Sequence, residues 1–452
     1  LVRIAQRVAK LEARLKDFAP DVRARALEQL VSMAEQGLAP LEPESEVANM
    51  HCHSSFSYNI HGYSPTSLVW LAKRRGFKLM GIVDFDVLDG VDEFLEACDL
   101  TGVRGSAGME TRVFLPEFAN REINSPGEPG VLYHMGIGFT SSQVTDPAAA
   151  KILAGMRRQA VRRNRGMIGR INIYLEPVGV DYEQDVLPLT PAGTATERHI
   201  VRAYVAAAQR TVSDPVEFWS DKLDIERSRA ADLMEDGPQF RKAIRARLMK
   251  RGGVGYVQPG PDTYPAVDRF HTLIEACSAL PCATWLDGTS EGEQAVEELL
   301  ELLISKRVVA LNIVPDRNWN IADPEVKRIK VQNLYDVVEL AQDLALPLNV
   351  GTEMNSFGQK LVDGFDTPEL APVREPFLDG AYFIYGHTVL QRALGLGYQS
   401  EWAQAYLPSR RERNAFYARV GRRVPPGRAE MAKLSKLDPA MFPDDVLVAL
   451  GG

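Results

Sequence analysis

The sequence predicts an α/β protein on a mainly parallel, barrel-like sheet, interrupted by a helical insertion and preceded by a helical arm. Three observations predict it. Short apolar runs alternate with amphipathic stretches from Val47 to Phe139, the same texture returns after Pro259-Gly260-Pro261, and almost every apolar run ends in a polar residue able to do chemistry. Parallel strands need a crossover helix between them, so this alternation is the pattern of βα units. At 452 residues the chain is roughly three typical domain lengths, enough for two or three structural units.

Taken in order, Ile4, Val8, Leu11 and Leu15 recur at helical spacing, and residues 1–45 read as an N-terminal helical arm. Strands follow at Leu79–Val83, Val103–Glu110 and Val131–Phe139, with a helix over Thr66–Arg75. From 146 to 262 the strand signal disappears. There Asp146 and Pro147 open a long amphipathic helix running to Tyr174, and a second spans Thr196–Arg210. Strands resume at Cys282–Leu286, Val308–Val314, Leu346–Val350 and Ala381–Tyr385. The barrel is therefore expected to be discontinuous, 46–145 and 263–400, with 146–262 as a cap. The Arg-rich stretch 401–452, with Pro425-Pro426, is expected to be a surface wrap.

Composition excludes several classes. Lys and Arg number 52 against 60 Asp and Glu, a net charge of −8, so the surface as a whole is not a nucleic-acid-binding cation. With 45% hydrophobic and 25% charged residues, neither a collagenous nor a disordered chain fits. Four cysteines (Cys52, Cys98, Cys277, Cys282) show no CxxC pairing, which points to a reducing compartment and a cytoplasmic protein. No apolar run approaches the roughly 18–20 residues of a membrane span, so no membrane partner is expected.

The polar strand ends are Asp84-Phe85-Asp86, Glu110, Asp287, Asp316, Gly351-Thr352-Glu353 and His387. In a parallel barrel these ends converge on one face, where catalytic groups collect. The sharpest signal is His51-Cys52-His53. Alternation along a strand puts both imidazoles on one side of the pleat, where they could share a cation. The competing reading is a pair of loop histidines. Three of the seven histidines, His51, His53 and His61, fall within this short stretch, which favours a metal.

His51-Cys52-His53-Ser54-Ser55-Phe56-Ser57, Gly81-Ile82-Val83-Asp84-Phe85-Asp86 and Gly108-Met109-Glu110 resemble, in order and spacing, the first motifs of the PHP (polymerase and histidinol phosphatase) superfamily. Arg158, Arg162, Arg163 and Arg165, followed by Thr196-Glu197-Arg198-His199, resemble the Arg-rich helix and His-bearing element of its phosphoesterases with a helical insertion. The resemblance implies a distorted (β/α)7 barrel with a multi-metal centre that hydrolyses phosphate esters. His51, His53, Glu110 and His134 would be ligands, with Glu353 and Asn355 standing where the family has Asp and His. Phe85 stands where its second motif has His, and Tyr58 where its first has Asp.

These departures predict one or two divalent ions (Zn, Mn, Fe or Mg) rather than three, with Asp84, Asp86, Asp287, His61 and His387 as candidate substitutes. For Asp84 and Asp287 a turn or cap role competes. Arg158, Arg162 and Arg165 share a helix face suited to phosphate contacts, against the alternative of a solvated face. Arg198 and His199 are the candidate catalytic pair, with a structural role competing for His199. The expected substrate is a small phosphorylated metabolite or nucleotide; no nucleic acid beyond a short oligonucleotide is expected. The second hypothesis is a degenerate member that binds metal or ligand and regulates, and a third is another metal-dependent reaction on the same barrel. Oligomeric state is left open.

Overall fold

Seven strands in sequence order form a single sheet: β1 (Ser45–Cys52), β2 (Phe77–Phe85), β3 (Arg104–Phe114), β4 (Val131–Phe139), β5 (Leu280–Trp285), β6 (Ala310–Ile313) and β7 (Leu348–Val350). The computed structural model describes residues 2–451. The sheet curls until its edges meet. Cys52 bridges to Glu353, with the His53 N–H on the Glu353 carbonyl and the Glu353 N–H on the His51 carbonyl, both at 2.8 Å. The result is a mixed α/β protein with a nearly closed seven-stranded barrel and many added helices.

The pairings β1–β2, β2–β3, β5–β6 and β6–β7 are parallel, but β4 runs antiparallel to both neighbours. The apolar pattern of Val131–Phe139 located β4 but could not reveal its direction. Reversal puts its start, not its end, at the face where the other strands finish.

Helices follow the chain. α1 (Val2–Arg14) and α2 (Pro20–Glu35) form the arm, and α3 (Pro65–Arg74) and α4 (Val91–Thr101) cover the first strands. The arm docks on its own barrel. Leu27 and Leu30 join the main core, the Trp70 indole donates to Glu12 at 2.9 Å, and the Arg23 Nε donates to Glu93 at 2.8 Å. Ser64, which caps α3, also donates to the Leu15 carbonyl at 2.5 Å, tying the arm to the loop after β1.

Between β4 and β5 lie α5 (Pro147–Leu175), α6 (Glu197–Thr211), α7 (Pro215–Leu223), α8 (Arg227–Glu235), α9 (Gly237–Met249) and α10 (Val267–Ala276). Asp146 caps α5 through the Ala149 N–H, as its position before Pro147 predicts. Ile171, Tyr204, Trp219 and Ile244 form an apolar cluster separate from the barrel's. Then come α11 (Glu291–Gln294), α12 (Val296–Ser305), α13 (Asp316–Trp319), α14 (Pro324–Asp343), α15 (Arg374–Leu394), α16 (Glu401–Tyr406), α17 (Arg410–Arg423), α18 (Arg428–Leu434) and α19 (Pro443–Ala449). No helix is long and apolar enough to cross a membrane.

Two expectations are corrected here. Ala381–Tyr385 is not a strand but the middle of α15, which packs on β1, β3, β4 and β7 and is buried from Gly380 to Leu390. A helix buried on all sides gives the same unbroken apolar run as a buried strand, so periodicity cannot separate them. The C-terminal stretch is no surface wrap: Phe416, Tyr417, Val420, Leu434, Val446 and Leu447 share a core with α15, Met135 and Ile137.

Candidate metal centre

β1 carries His51, and its continuation His53 follows the alternation of the pleat, so the two imidazoles face the same way with ring centroids 5.3 Å apart. β3 brings Glu110 beside them. Its Oε2 lies 3.2 Å from His53 Nε2 and 3.7 Å from His51 Nε2. All three side chains are buried. Among the described residues this is the one group of His, Cys, Asp or Glu whose ligand atoms gather within 4.8 Å.

The donor set fits a divalent cation. His51 Nδ1 and Nε2, His53 Nε2 and Glu110 Oε2 are buried with no hydrogen-bond partner. Orphaned buried polar atoms cost stability unless something satisfies them, and two imidazoles with a carboxylate are the donors that hold such ions. Burial alone would raise the Glu110 carboxyl, but when the two imidazoles carry protons they outweigh it and hold it at about 2, and a cation held by the same nitrogens would act in the same direction. The charge a cation needs is thus in place.

The His53 ring is fixed from both sides. Phe85 stacks on it at 5.0 Å and 8°, so the phenyl at the family's histidine position serves as a wall, not a ligand. On the other side His53 Nδ1 lies 3.1 Å from Ser57 Oγ, which donates to Asp84 Oδ1 at 2.6 Å. Because the Ser57 proton goes to Asp84, Ser57 accepts from Nδ1–H, which leaves the lone pair on Nε2, facing Glu110. Replacing Ser57 with alanine should weaken divalent-ion binding about 10- to 100-fold without loss of folding, as measured by ion titration.

The other sequence-expected residues divide. Asp84 is saturated: its carboxylate accepts from the Ser54 N–H (2.7 Å), Ser54 Oγ (2.6 Å) and Ser57 Oγ (2.6 Å). The turn role wins there. Asp86 lines the cavity and accepts from Thr111 at 2.6 Å. Glu353 is buried beside the cluster, but Arg317 Nη2 sits 3.2 Å from each of its oxygens and Gln359 donates to Oε2 at 2.7 Å. Burial would raise Glu353; the Arg317 charge reverses this and holds it below the ordinary carboxylate range.

His134 is the main correction. It does not join His51, His53 and Glu110; its Nε2 lies 2.7 Å from His271 Nε2 on α10. In the reversed strand Met135 pairs with Glu110 and His134 pairs with Thr111, so the expected histidine falls on the outer face and Tyr133 lines the cavity instead. His387 lies on α15 against Gly138, at the far end of β4, and its Nδ1 accepts the Tyr398 N–H at 3.0 Å. Burial holds it neutral, at about 4. It cannot replace a lost ligand. Asp287 pairs with Lys330 at 2.7 Å and does not line the cavity, and His61 is exposed outside it.

The ligand cluster opens into a cavity of about 870 Å³ between barrel and insertion, lined by nine Arg or Lys against six Asp or Glu. Of the residues on α5, Arg162 and Arg163 face it, with Arg170 one further pair of turns along. Arg158 is exposed away from it, and Arg165 pairs with Glu183. The shared face of Arg158, Arg162 and Arg165 is therefore mostly solvated, and the stripe of α5 that meets the cavity is offset from it. Arg198 lines the cavity, donating to Asn355 Oδ1 (2.8 Å) and Ser356 Oγ (2.6 Å), and burial with the nearby Arg245 lowers it to about 10. His199 caps α6, its Nδ1 accepting the Thr196 N–H at 3.1 Å, and packs its ring edge-on to Tyr58. It does not reach the cavity.

Sequence reading missed Arg112, Tyr264 and Arg317. Arg112 follows Glu110 by two residues on β3, so the pleat alone assigns it to the same face. The Tyr264 ring lies between the guanidiniums of Arg112 (4.4 Å) and Arg163 (4.7 Å). Three non-glycine residues of the lining loops, Asp86, Glu353 and Met354, hold φ of 58°, 62° and 55°. Glu353 and Asp86 line the cavity, and such strain persists only where surroundings enforce it.

Fold and site together define a nearly closed α/β barrel carrying a buried His–His–Glu cluster. No protein-family model matches the chain. An error-prone DNA polymerase of Cutibacterium acnes is 34% identical over 84 residues, 18% of this chain and 7% of that protein. A 5'-3' exoribonuclease of Haemophilus influenzae is 26% identical over 157 residues, 35% of this chain and 50% of that protein. The chain thus spans half or less of the curated relatives it matches.

Among solved structures, an amidohydrolase from Chromobacterium violaceum, with bound sulfate and no metal, aligns at a TM-score of 0.47 and 14% identity, covering 73% of this chain and 96% of that one. A protein from Bifidobacterium adolescentis, assigned as a metal-dependent phosphoesterase, aligns at 0.44 and 18%, covering 74% and 96%. The polymerase match fits the PHP superfamily resemblance carried by the motifs.

Proposed function

We propose that this chain is a metal-dependent hydrolase of phosphate esters, of the PHP subgroup with a helical insertion, with residues 146–262 as a cap over the barrel. The observation that carries the proposal is the set of unpartnered, buried ligand atoms on His51, His53 and Glu110 at the floor of a cation-lined cavity. His51, His53 and Glu110 would hold a divalent ion, which would supply Lewis acidity and lower the pKa of a bound water.

The chain's own residues do the rest. Glu110 balances the ion's charge, and Ser57 and Asp84 hold His53 in the ligating tautomer. Arg112, Arg163 and Arg198 offer guanidinium donors for phosphoryl oxygens on the cavity wall. An excess of positive side chains inside a chain of net charge −8 favours an anionic substrate over a neutral one. A volume of about 870 Å³ admits a small phosphorylated metabolite, a nucleotide or the end of a short oligonucleotide. Similarity to a 5'-3' exoribonuclease of Haemophilus influenzae supports including a phosphodiester in the substrates tested.

A second reading has its own support. With His134 turned outwards, Asp84 saturated and Phe85 in a ligand position, the centre is reduced, which suits a binding or regulatory protein. Metal analysis together with turnover of a phosphomonoester, a nucleotide and a short 5'-phosphorylated oligonucleotide in Mn2+ separates the two. Stoichiometric ion and turnover support hydrolysis; stoichiometric ion with no turnover of any of them replaces it with the binding reading.

A further inference from the structure

We infer that Arg317 supplies the second positive charge of a one-ion centre, closing Glu353 to a further metal ion. This rests on the metal centre proposed above and concerns how many ions it holds. Three carboxylates besides Glu110 lie near the histidine pair, Asp86 and Glu353 on the cavity wall and Asp84 buried behind it, and protein donors engage each. Asp84 is taken by Ser54 and Ser57, and Asp86 by Thr111 with Arg163 at 3.7 Å. Glu353 is taken by Arg317 and Gln359. A second ion would have to displace donors from one of these sets.

Arg317 does more than neutralise Glu353. It enters from α13, directly after β6, and only its Nη2 is spent on the carboxylate. Its side chain keeps 44% of its surface accessible because it faces the cavity rather than protein, whereas Glu353 keeps 9%. A guanidinium has five donors in a fixed plane, so the remaining ones can meet an anion lying between Arg317 and the ion site. One ion and one arginine would then share the phosphoryl oxygens that a larger centre would divide among metals.

The test counts ions. Wild-type protein, Arg317→Lys and Arg317→Met are equilibrated with Mn2+, and bound ion per chain is measured by mass spectrometry, with inorganic phosphate binding followed by calorimetry. The expectation is one ion for wild type and Arg317→Lys, a count rising towards two for Arg317→Met as Glu353 is released, and phosphate affinity about tenfold lower in Arg317→Met. Should Arg317→Met fail to fold, Glu353→Gln takes its place and is expected to keep one ion and bind phosphate at least as tightly as wild type. Two or more ions in wild type would overturn the inference and leave the metal centre standing. So would Arg317→Met with one ion and unchanged phosphate binding, or a Glu353→Gln that loses its ion. No ion in wild type would remove the centre itself, and the inference with it.

Discussion

His53→Ala loses its divalent ion and, with it, about a thousandfold or more of any phosphoesterase activity, while the chain still folds. Three donors converge on the site, and the Nε2 lone pair of His53 is the one whose direction the Ser57–Asp84 relay enforces. Removing it leaves His51 and Glu110, too few to hold an ion against water. Stability discriminates this from a general packing defect. In the ion-free wild type the unpartnered atoms of His51, His53 and Glu110 are buried at a cost, so the variant without ion should unfold at nearly the wild-type denaturant midpoint. Adding Mn2+ at a hundred times its dissociation constant should stabilise wild type by about 2.7 kcal/mol through linkage and leave His53→Ala unmoved. Equal stabilisation of both proteins would show that the ion sits elsewhere.

Why some of this was legible and some was not has a physical answer in each case. The pair His51 and His53 was readable because residues two apart on a strand share a face whatever the fold does. Arg112, two after Glu110 on the same strand, obeys the same rule, although no motif names it. His134 was misplaced because a one-residue shift in register swaps faces, and its strand runs backwards; neither direction nor register is written in the apolar run Val131–Phe139. The α5 arginines failed for a similar reason: a helix with Arg at 157, 158, 162, 163, 165 and 170 offers several plausible stripes, and only packing against the barrel chooses among them. Arg317 had no local signature at all. Its role exists because β6 and β7 are neighbours and the strained turn at Glu353 aims a carboxylate at it.

Gly421→Ala is expected to destabilise the protein by about 3 kcal/mol or more, although alanine is the better helix former. Helix propensity alone predicts the opposite sign, a gain of about 1 kcal/mol. The crossing of α15 and α17 decides which wins. A Cβ on Gly421 would lie 1.9 Å from the Tyr382 carbonyl oxygen, and one on Gly386 would lie 2.0 Å from that of Tyr417. Both obstacles are backbone, which cannot rotate aside, so the helices must separate and the shared core of Phe416, Tyr417 and Ile384 must open. Gly169 provides the matched control. It lies inside α5 with nothing within 4 Å of its would-be Cβ, so there propensity acts alone and Gly169→Ala should gain about 1 kcal/mol. Denaturant midpoints of the two variants should therefore move in opposite directions. Because α15 packs directly on β1 and β7, the strands that bring His51 and Glu353 together, Gly421→Ala should also weaken ion binding where Gly169→Ala does not. Two alanines that both stabilise would mean that α15 and α17 do not cross this closely, and that the floor of the barrel is built some other way.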